Sequence, residues 1–260
     1  MRITTCKIEA YVNKIKYMQY NMSMDQYRTK FENLSALYLN CTLKTGDEQS
    51  HTDRLINVST GILDSLEVEH ETIRVANLDL AVGMKPDMTK HGADKDDWPK
   101  LYEKVLAADI LVIGSPIWLG EKSSVAAKLI ERLYSTSAQY NGKGQYAYYG
   151  RVGGCLVTGN EDGVKHVGMG VLYALQHIGY TIPPQVDAGW IGEVGPGPSY
   201  GDDGVGYDND FTNRNTTFMT WNLLHMASLL KENGGFPAYG NQPDAWNDGD
   251  KFGFQPLKTN

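Results

Sequence analysis

The chain has 260 residues, 41% of them hydrophobic and 21% charged, which is typical of a globular domain. Its formal net charge of −7 disfavours nucleic-acid partners, because phosphate backbones require a basic face. No apolar run approaches the roughly 18 residues of a membrane span, the charged amino terminus lacks a signal-peptide pattern, and the cysteines form no close pair, so we expect a cytoplasmic protein without a membrane partner.

Residues 1–33 are predicted to form a separate helical extension. Apolar side chains recur in it at helical spacing, at Ile8, Tyr11, Val12, Ile15, Met18 and Met22. This stripe indicates an amphipathic helix that docks on the core or on a partner subunit. A surface decoration is the alternative.

Residues 34–235 are predicted to form one domain in which strands and helices alternate. In chain order these are strand 35–40, helix 51–66, strand 71–75, helix 98–107, strand 108–114, helix 123–137, strand 153–159, helix 163–178, strand 180–183 and helix 215–232. Helices of 10–15 residues between strands indicate right-handed βαβ units. We therefore expect an α/β fold, a doubly wound five-stranded parallel sheet in the flavodoxin-like order 2-1-3-4-5, with helices on both faces.

Two further segments carry little regular pattern. The loop 195–207 is rich in glycine and contains Tyr200 and Tyr207, so it is a candidate lid. The tail 236–260 is predicted to be irregular, although it contains several aromatic residues. The apolar surface of these aromatics and of the amino-terminal stripe exceeds what one five-stranded domain needs to cover itself. This surplus predicts a homo-oligomer, a dimer or a tetramer.

The loop after the first strand offers hydroxyl groups and one cation. Thr42, Lys44, Ser50 and Thr52 lie in it, and the helix 51–66 begins at its end. Hydroxyls and free N–H groups at a helix N-terminus favour a bound phosphate. The alternative is that Ser50 or Thr52 simply caps the helix. No phosphate-binding P-loop and no Gly-x-Gly-x-x-Gly sequence follows any strand.

The segment Ser-Pro-Ile-Trp-Leu-Gly (115–120) follows the strand 108–114. Pro116 is predicted to end the hydrogen-bonded ladder, since it has no N–H group. Trp118 can then stack on a planar heterocycle, and the N–H groups of Ile117, Leu119 and Gly120 can face the acceptors of that heterocycle. The alternative is that Trp118 packs under a loop or in a subunit interface.

The loop after the strand 153–159 forms the opposite wall of this predicted site. Gly159 and Gly163 permit a close approach of the backbone to a ligand. Asn160 offers both a donor and an acceptor. Asp162 adds negative charge, which would lower the reduction potential of a bound redox ring. The alternative is that the acids only complement a helix dipole.

These three segments resemble the flavodoxin-like NAD(P)H-dependent FMN reductases. The resemblance rests on Asn-Cys-Thr-Leu-Lys (40–44) with Ser-His-Thr (50–52), on residues 108–120 and on Val-Thr-Gly-Asn-Glu-Asp-Gly (157–163), and it covers residues 35–232. It implies noncovalent FMN, with the phosphate at Thr42, Lys44, Ser50, His51 and Thr52. The isoalloxazine ring would lie between two groups of residues, namely Pro116, Ile117, Trp118, Leu119 and Gly120, and Thr158, Gly159, Asn160, Asp162 and Gly163.

The predicted function is that of an FMN-dependent oxidoreductase. It would take hydride from NAD(P)H and pass it to a small acceptor such as a quinone, a nitroaromatic or a flavin. No catalytic side chain is required, because the flavin carries the chemistry, and no histidine shows metal-ligand spacing. The alternatives are an electron carrier without turnover of its own and a relative that has lost its cofactor.

Overall fold

The computed structural model describes residues 24–160, 162–193 and 197–256. It contains helices on both sides of one sheet. The helices are α1 (24–31), α2 (His51–Ser65), α3 (Trp98–Ala107), α4 (Ser124–Ser135), α5 (Val164–Ile178), α6 (Asp210–Glu232) and α7 (Pro243–Asn247). The strands are β1 (Ser35–Asn40), β2 (Glu69–Arg74), β3 (Ile110–Trp118), β4 (Glu121–Lys122), β5 (Val152–Gly159) and β6 (Asp187–Ile191). Among the described residues, no helix is long and apolar enough to cross a bilayer.

The five long strands are parallel and lie in the order β2-β1-β3-β5-β6. The two-residue strand β4 pairs only with β3, in the antiparallel direction. Because β4 interrupts the numbering, this order is the predicted doubly wound arrangement with one short strand added. The predicted flavodoxin-like fold is therefore confirmed.

Each face of the sheet carries its own hydrophobic cluster, since successive strand residues point to opposite faces. Leu37 and Leu39 of β1 face α3, α4 and α5. Ala36 and Tyr38 face α1, α2 and α6. On this second face the Tyr38 hydroxyl lies 2.8 Å from that of Ser59, which lies 2.6 Å from that of Thr220. A buried polar chain therefore joins β1, α2 and α6.

The predicted fifth strand at 180–183 was wrong. Thr181 makes only an isolated bridge to Val152, and the true outer strand is β6. Pro183 and Pro184 have no N–H group to donate, so the pairing with β5 cannot pass through them. The chain turns at Gln185, which has a φ of 53°, before pairing resumes at Asp187.

The prediction that Pro116 ends the ladder was also wrong, because β3 continues to Trp118. Pro116 pairs with Thr158 of β5, but β1 has already ended opposite Gly114. At Pro116, therefore, one side of β3 has no neighbouring strand, and a residue without an N–H group is tolerated there.

The structure near the two ends of the chain can be compared with the predictions for these segments. The amino-terminal stripe from Ile8 to Met22 lies outside the described residues, whereas α1 packs on the core with Phe31 fully buried. Helix α6 begins at Asp210 and not at the predicted residue 215, because Asn209 caps it by accepting from the N–H of Thr212 at 2.8 Å. The tail 236–260 was predicted to be irregular, but it contains the short helix α7.

A buried ion pair organises the long insertion between β2 and α3. The Arg132 guanidinium lies 2.7 Å from Asp96, and both side chains are buried. Arg132 also donates to the carbonyl of Gly83 at 2.6 Å, and Asp96 accepts from the N–H of Met88 at 3.0 Å. The pair therefore fixes the insertion to α4.

We expect Asp96→Ala to lower the free energy of unfolding by about 3–5 kcal/mol, because it leaves the Arg132 charge buried without its partner. Urea denaturation measures this loss. Asp79→Ala is the control in the same insertion, since Asp79 is exposed and 3.6 Å from Lys95; its cost should stay below about 1 kcal/mol. Equal losses for the two variants would contradict this assignment.

Candidate functional site

A cavity of about 630 Å³ lies at the carboxyl edge of the sheet. The loops that follow β1, β3 and β5 all contribute to it, as the sequence predicted, and the segment after β6 closes it. Its lining residues are Thr42, Leu43, Lys44, Ser50, His51, Thr52, Pro116, Ile117, Trp118, Thr158, Gly159, Asn160, Ser199 and Tyr200. Ligands bind at this edge in open parallel sheets.

Four predicted site residues do not line the cavity. Leu119 and Gly120 form the two-residue turn between β3 and β4, with φ values of 52° and 79°. Asp162 and Gly163 follow β5 and lie beside that turn, where a Cβ on Gly163 would come within 2.8 Å of the Gly120 carbonyl oxygen. The turn and the segment after β5 are therefore in close contact with each other, outside the cavity lining.

The sequence also missed two lining residues. Leu43 and Ser199 carried no signal, because an apolar residue in a polar loop and a serine in a glycine-rich one are both common. Tyr200 was expected only as part of a lid.

The buried Asn40 side chain at the end of β1 orders the first loop. Its Oδ1 accepts from the N–H of Thr42 at 2.9 Å, and its Nδ2 donates to Asp53 at 2.5 Å. From β2, Arg74 donates to the carbonyls of Gly46 and Glu48 at 2.7 Å each and forms an ion pair with Asp53. The backbone of this loop is thus held from both sides.

The start of α2 faces the cavity. Ser50 is the N-cap, and its Oγ accepts from the N–H of Asp53 at 3.3 Å, so the capping interpretation of Ser50 is confirmed. His51 and Thr52 occupy the first turn, where N–H groups have no acceptor within the helix. Lys44 donates to the carbonyl of Gln49 at 2.7 Å and pairs with Glu48 at 3.3 Å. The N-terminus of α2 therefore presents mainly neutral donors.

A buried hydrogen bond connects the first and third loops. The hydroxyls of Thr52 and Thr158 lie 2.8 Å apart, and both side chains are buried. Thr52 belongs to α2 and Thr158 to the end of β5. This contact sets the position of the α2 N-terminus relative to the opposite wall.

The β3–β4 hairpin is fixed at its base by two serines. Ser115 accepts from the N–H of Ser123 at 3.1 Å, and Ser123 donates to the carbonyl of Cys41 at 2.6 Å. A Cβ on Gly159 would come within 2.8 Å of the Ile117 side chain, so only glycine allows this packing. Trp118 remains 52% exposed at the mouth of the cavity.

The segment after β6 is bonded to the rest of the site. Asn160 donates to the carbonyl of Gly197 at 2.8 Å, and the N–H of Gly201 donates to Nδ1 of His51 at 3.1 Å. Arg54 donates to the carbonyl of Gly201. The Tyr200 hydroxyl is buried and has no partner among the described residues, and burial raises the pKa of Tyr200 to about 12.

His51 is held in one tautomer. Because its Nδ1 accepts from Gly201, the proton of the neutral ring lies on Nε2. Partial burial lowers the pKa of His51, and the charges of Lys44 and Arg54 lower it further, while Asp202 at 3.8 Å opposes them. At neutral pH the ring therefore offers an Nε2–H donor at the start of α2.

Other titratable groups lie outside the cavity lining. His166 and Glu121 form a contact of 2.7 Å between α5 and β4, and this hydrogen bond lowers the pKa of Glu121. Both side chains are more than half exposed. Within the described ranges, no group of three or more His, Cys, Asp or Glu residues could hold a metal ion.

Comparison with known proteins identifies the family. The sequence model of the family described as NADPH-dependent FMN reductase matches residues 35–188. The chain is 36% identical over 204 residues to the 8-demethyl-8-aminoriboflavin-5'-phosphate synthase of Streptomyces davaonensis, covering 76% of this chain and 79% of that one.

A Mycobacterium bovis protein described as the divalent metal cation transporter MntH is 61% identical over 203 residues. The match covers 78% of this chain but only 30% of that protein, so the chain spans less than a third of its length.

Solved structures agree with the fold. RosB, with bound 8-demethyl-8-formylriboflavin-5'-phosphate, superposes with a TM-score of 0.74 at 33% identity, covering 87% of this chain and 91% of RosB. The oxidoreductase FerB of Paracoccus denitrificans gives a TM-score of 0.50 at 14% identity, covering 78% of this chain and 100% of FerB, and it supports the fold alone.

We expect Thr52→Val and Thr158→Val each to cost about 1–3 kcal/mol of unfolding free energy, because each leaves one buried hydroxyl without its partner. The double variant should cost clearly less than the sum, since neither hydroxyl then remains. Urea denaturation of all four proteins measures the coupling. Additive losses would show that the two hydroxyls do not interact.

The lowered pKa of His51 predicts a pH dependence of stability. Below about pH 6.5 the unfolded chain binds a proton at His51 more readily than the folded chain does, so unfolding becomes easier as the pH falls. The fall in unfolding free energy from pH 7 to pH 5 should therefore be smaller in His51→Asn. His225, whose pKa is also lowered, is present in both proteins and cancels. Equal falls would contradict the prediction.

Proposed function

The chain belongs to the family of NADPH-dependent FMN reductases, and on this premise we propose that it is an oxidoreductase that takes hydride from NAD(P)H into FMN bound in the cavity. The observation that carries the proposal is the convergence of three strand-end loops and the N-terminus of α2 on one cavity of about 630 Å³. A volume of this size suits a cofactor with a planar ring and one phosphate.

The phosphate is assigned to the start of α2. First-turn N–H groups at His51 and Thr52 point a positive helix end toward an anion. The Nε2–H of His51 and the hydroxyl of Thr42 add donors, while Lys44 could add charge by leaving the Gln49 carbonyl. Ser50 contributes through its cap, which holds this turn in place.

The ring is assigned to the space between the β3–β4 hairpin and the end of β5. Pro116, Ile117 and Trp118 provide an apolar and aromatic wall, and Gly159 and Asn160 provide backbone and amide groups opposite. Gly163 and Gly120 allow the hairpin and the segment after β5 to pack closely against each other. The set of donors and surfaces thus fits a flavin mononucleotide.

FMN held in this cavity would supply hydride transfer between a nicotinamide and a small acceptor. The side chains of this protein bind, orient and shield; none is required as an acid, base or nucleophile. Trp118, half exposed at the mouth, would border the place where nicotinamide and acceptor bind in turn. Quinones, nitroaromatics and free flavins are the proposed acceptors.

A second candidate follows from the Streptomyces davaonensis relative, whose name states that it synthesises a modified riboflavin phosphate. At 36% identity over most of both chains, this relative supports a flavin phosphate as the substrate rather than the cofactor. The same phosphate site and ring walls would serve either role. In the first candidate function the flavin is a cofactor and is recovered unchanged. In the second it is a substrate and is released as a modified flavin.

Anaerobic stopped flow tests the proposal. FMN-loaded protein is mixed with NADPH or NADH, flavin absorbance is followed, a quinone is added, and the flavin is then recovered for mass spectrometry. Rapid bleaching, reoxidation by the quinone and an unchanged flavin mass are expected. Trp118→Ala should slow the bleaching by about tenfold or more through lost positioning, whereas Trp246→Ala, in α7 and not in the cavity lining, should not.

Recovery of a flavin of altered mass would favour the second candidate. Failure of both nucleotides to bleach the flavin, combined with stepwise one-electron reduction by a partner reductase, would assign the protein to the electron carriers instead.

A further inference from the structure

The 23-residue helix α6 carries an apolar face that the described residues leave partly uncovered. Phe211, Phe218, His225 and Leu229 recur at helical spacing and lie on one side of it. Phe211 is 61% exposed and Phe218 is 46% exposed. Two phenyl rings one heptad apart on an open helix face indicate a docking surface.

Helix α1 covers the later part of the same face. The rings of Tyr27 and Trp221 lie 5.0 Å apart, and those of Phe31 and His225 lie 5.6 Å apart. Farther along, Lys231 donates to the carbonyl of Asn33. Because these contacts come in the same order on both helices, α1 runs in the same direction as α6.

The two nearest ring pairs between these helices, Tyr27 with Trp221 and Phe31 with His225, share an offset of 194 positions. Two helices running side by side keep such an offset, since both rise about 1.5 Å per residue. The same offset pairs Met24 with Phe218 and Tyr17 with Phe211. In a helix that extended α1 backward, Met24, Tyr20 and Tyr17 would share the face of Phe31 and Tyr27, since they are spaced three or four positions apart.

Charge follows the same register. The offset pairs Lys14 with Asp208 and Lys16 with Asp210. Asp208 and Asp210 are exposed at the start of α6. The segment before Met24 is basic, with Arg2, Lys7, Lys14 and Lys16 against the single acid Glu9. At this offset, opposite charges would meet where the aromatic pairing ends.

We propose that the exposed Phe211–Phe218 face of α6 is the docking site of the chain's own segment 14–23, which continues α1 along α6. Tyr17 and Tyr20 cover the two phenyl rings, and Lys14 and Lys16 lie beside Asp208 and Asp210. The stripe from Ile8 to Met22 falls on the other side of this segment and takes no part in the contact.

Limited trypsin proteolysis of the full chain, followed by mass spectrometry, tests this docking at Lys14 and Lys16. The double variant Phe211→Ser with Phe218→Ser should be cleaved there about tenfold faster than the wild type, because local opening exposes these bonds. Asp208→Lys with Asp210→Lys should also accelerate cleavage. Phe254→Ser is the control, since Phe254 is equally exposed but lies beyond α7. Circular dichroism confirms that each variant is folded.

Two results would overturn the proposal. One is cleavage at Lys14 and Lys16 that is equally fast in the wild type and in both double variants. The other is protection that disappears when the protein is diluted to single chains, which would make a second copy the occupant of this face.

Discussion

The hydrogen bond between Thr52 and Thr158 holds the two halves of the cavity together. One hydroxyl belongs to the first turn of α2, which offers anion donors, and the other to the end of β5, which offers the wall opposite the hairpin. Both are buried, so water does not compete for the bond. The distance between the proposed phosphate and ring positions depends on this contact and on the Asn40 amide beside it.

The positively charged side chains near the first loop form hydrogen bonds and ion pairs with oxygen atoms of the protein itself. Lys44 binds the Gln49 carbonyl, Arg74 binds two loop carbonyls and Asp53, and Arg54 binds the Gly201 carbonyl. A phosphate at the start of α2 would therefore be held mainly by N–H groups, hydroxyls and a neutral imidazole. Arg54 and His51 also tie Gly201 to α2, so His51 takes part both in closing the cavity and in the proposed anion site.

Most of the cavity lining and the order of the long strands could be predicted from the sequence, because the loops that follow parallel strands meet at one edge of the sheet. Eleven of the lining residues were identified from three local segments, and the order of the long strands followed from βαβ spacing. Two kinds of feature could not be predicted from the sequence. The position of the outer strand β6 depends on Pro183 and Pro184, which shift the start of pairing with β5 to Asp187. The Thr52–Thr158 and His51–Gly201 contacts join residues more than 100 positions apart.

We propose that the N-terminus of α2 binds the phosphate of FMN. Titration of cofactor-free protein with FMN and with riboflavin, followed by the change in flavin fluorescence, tests it directly, because the two ligands differ only in the phosphate. We expect FMN to bind at least about a hundredfold more tightly, as two charge-assisted hydrogen bonds of about 1.5–3 kcal/mol each would provide. Equal affinities for FMN and riboflavin would contradict the claim.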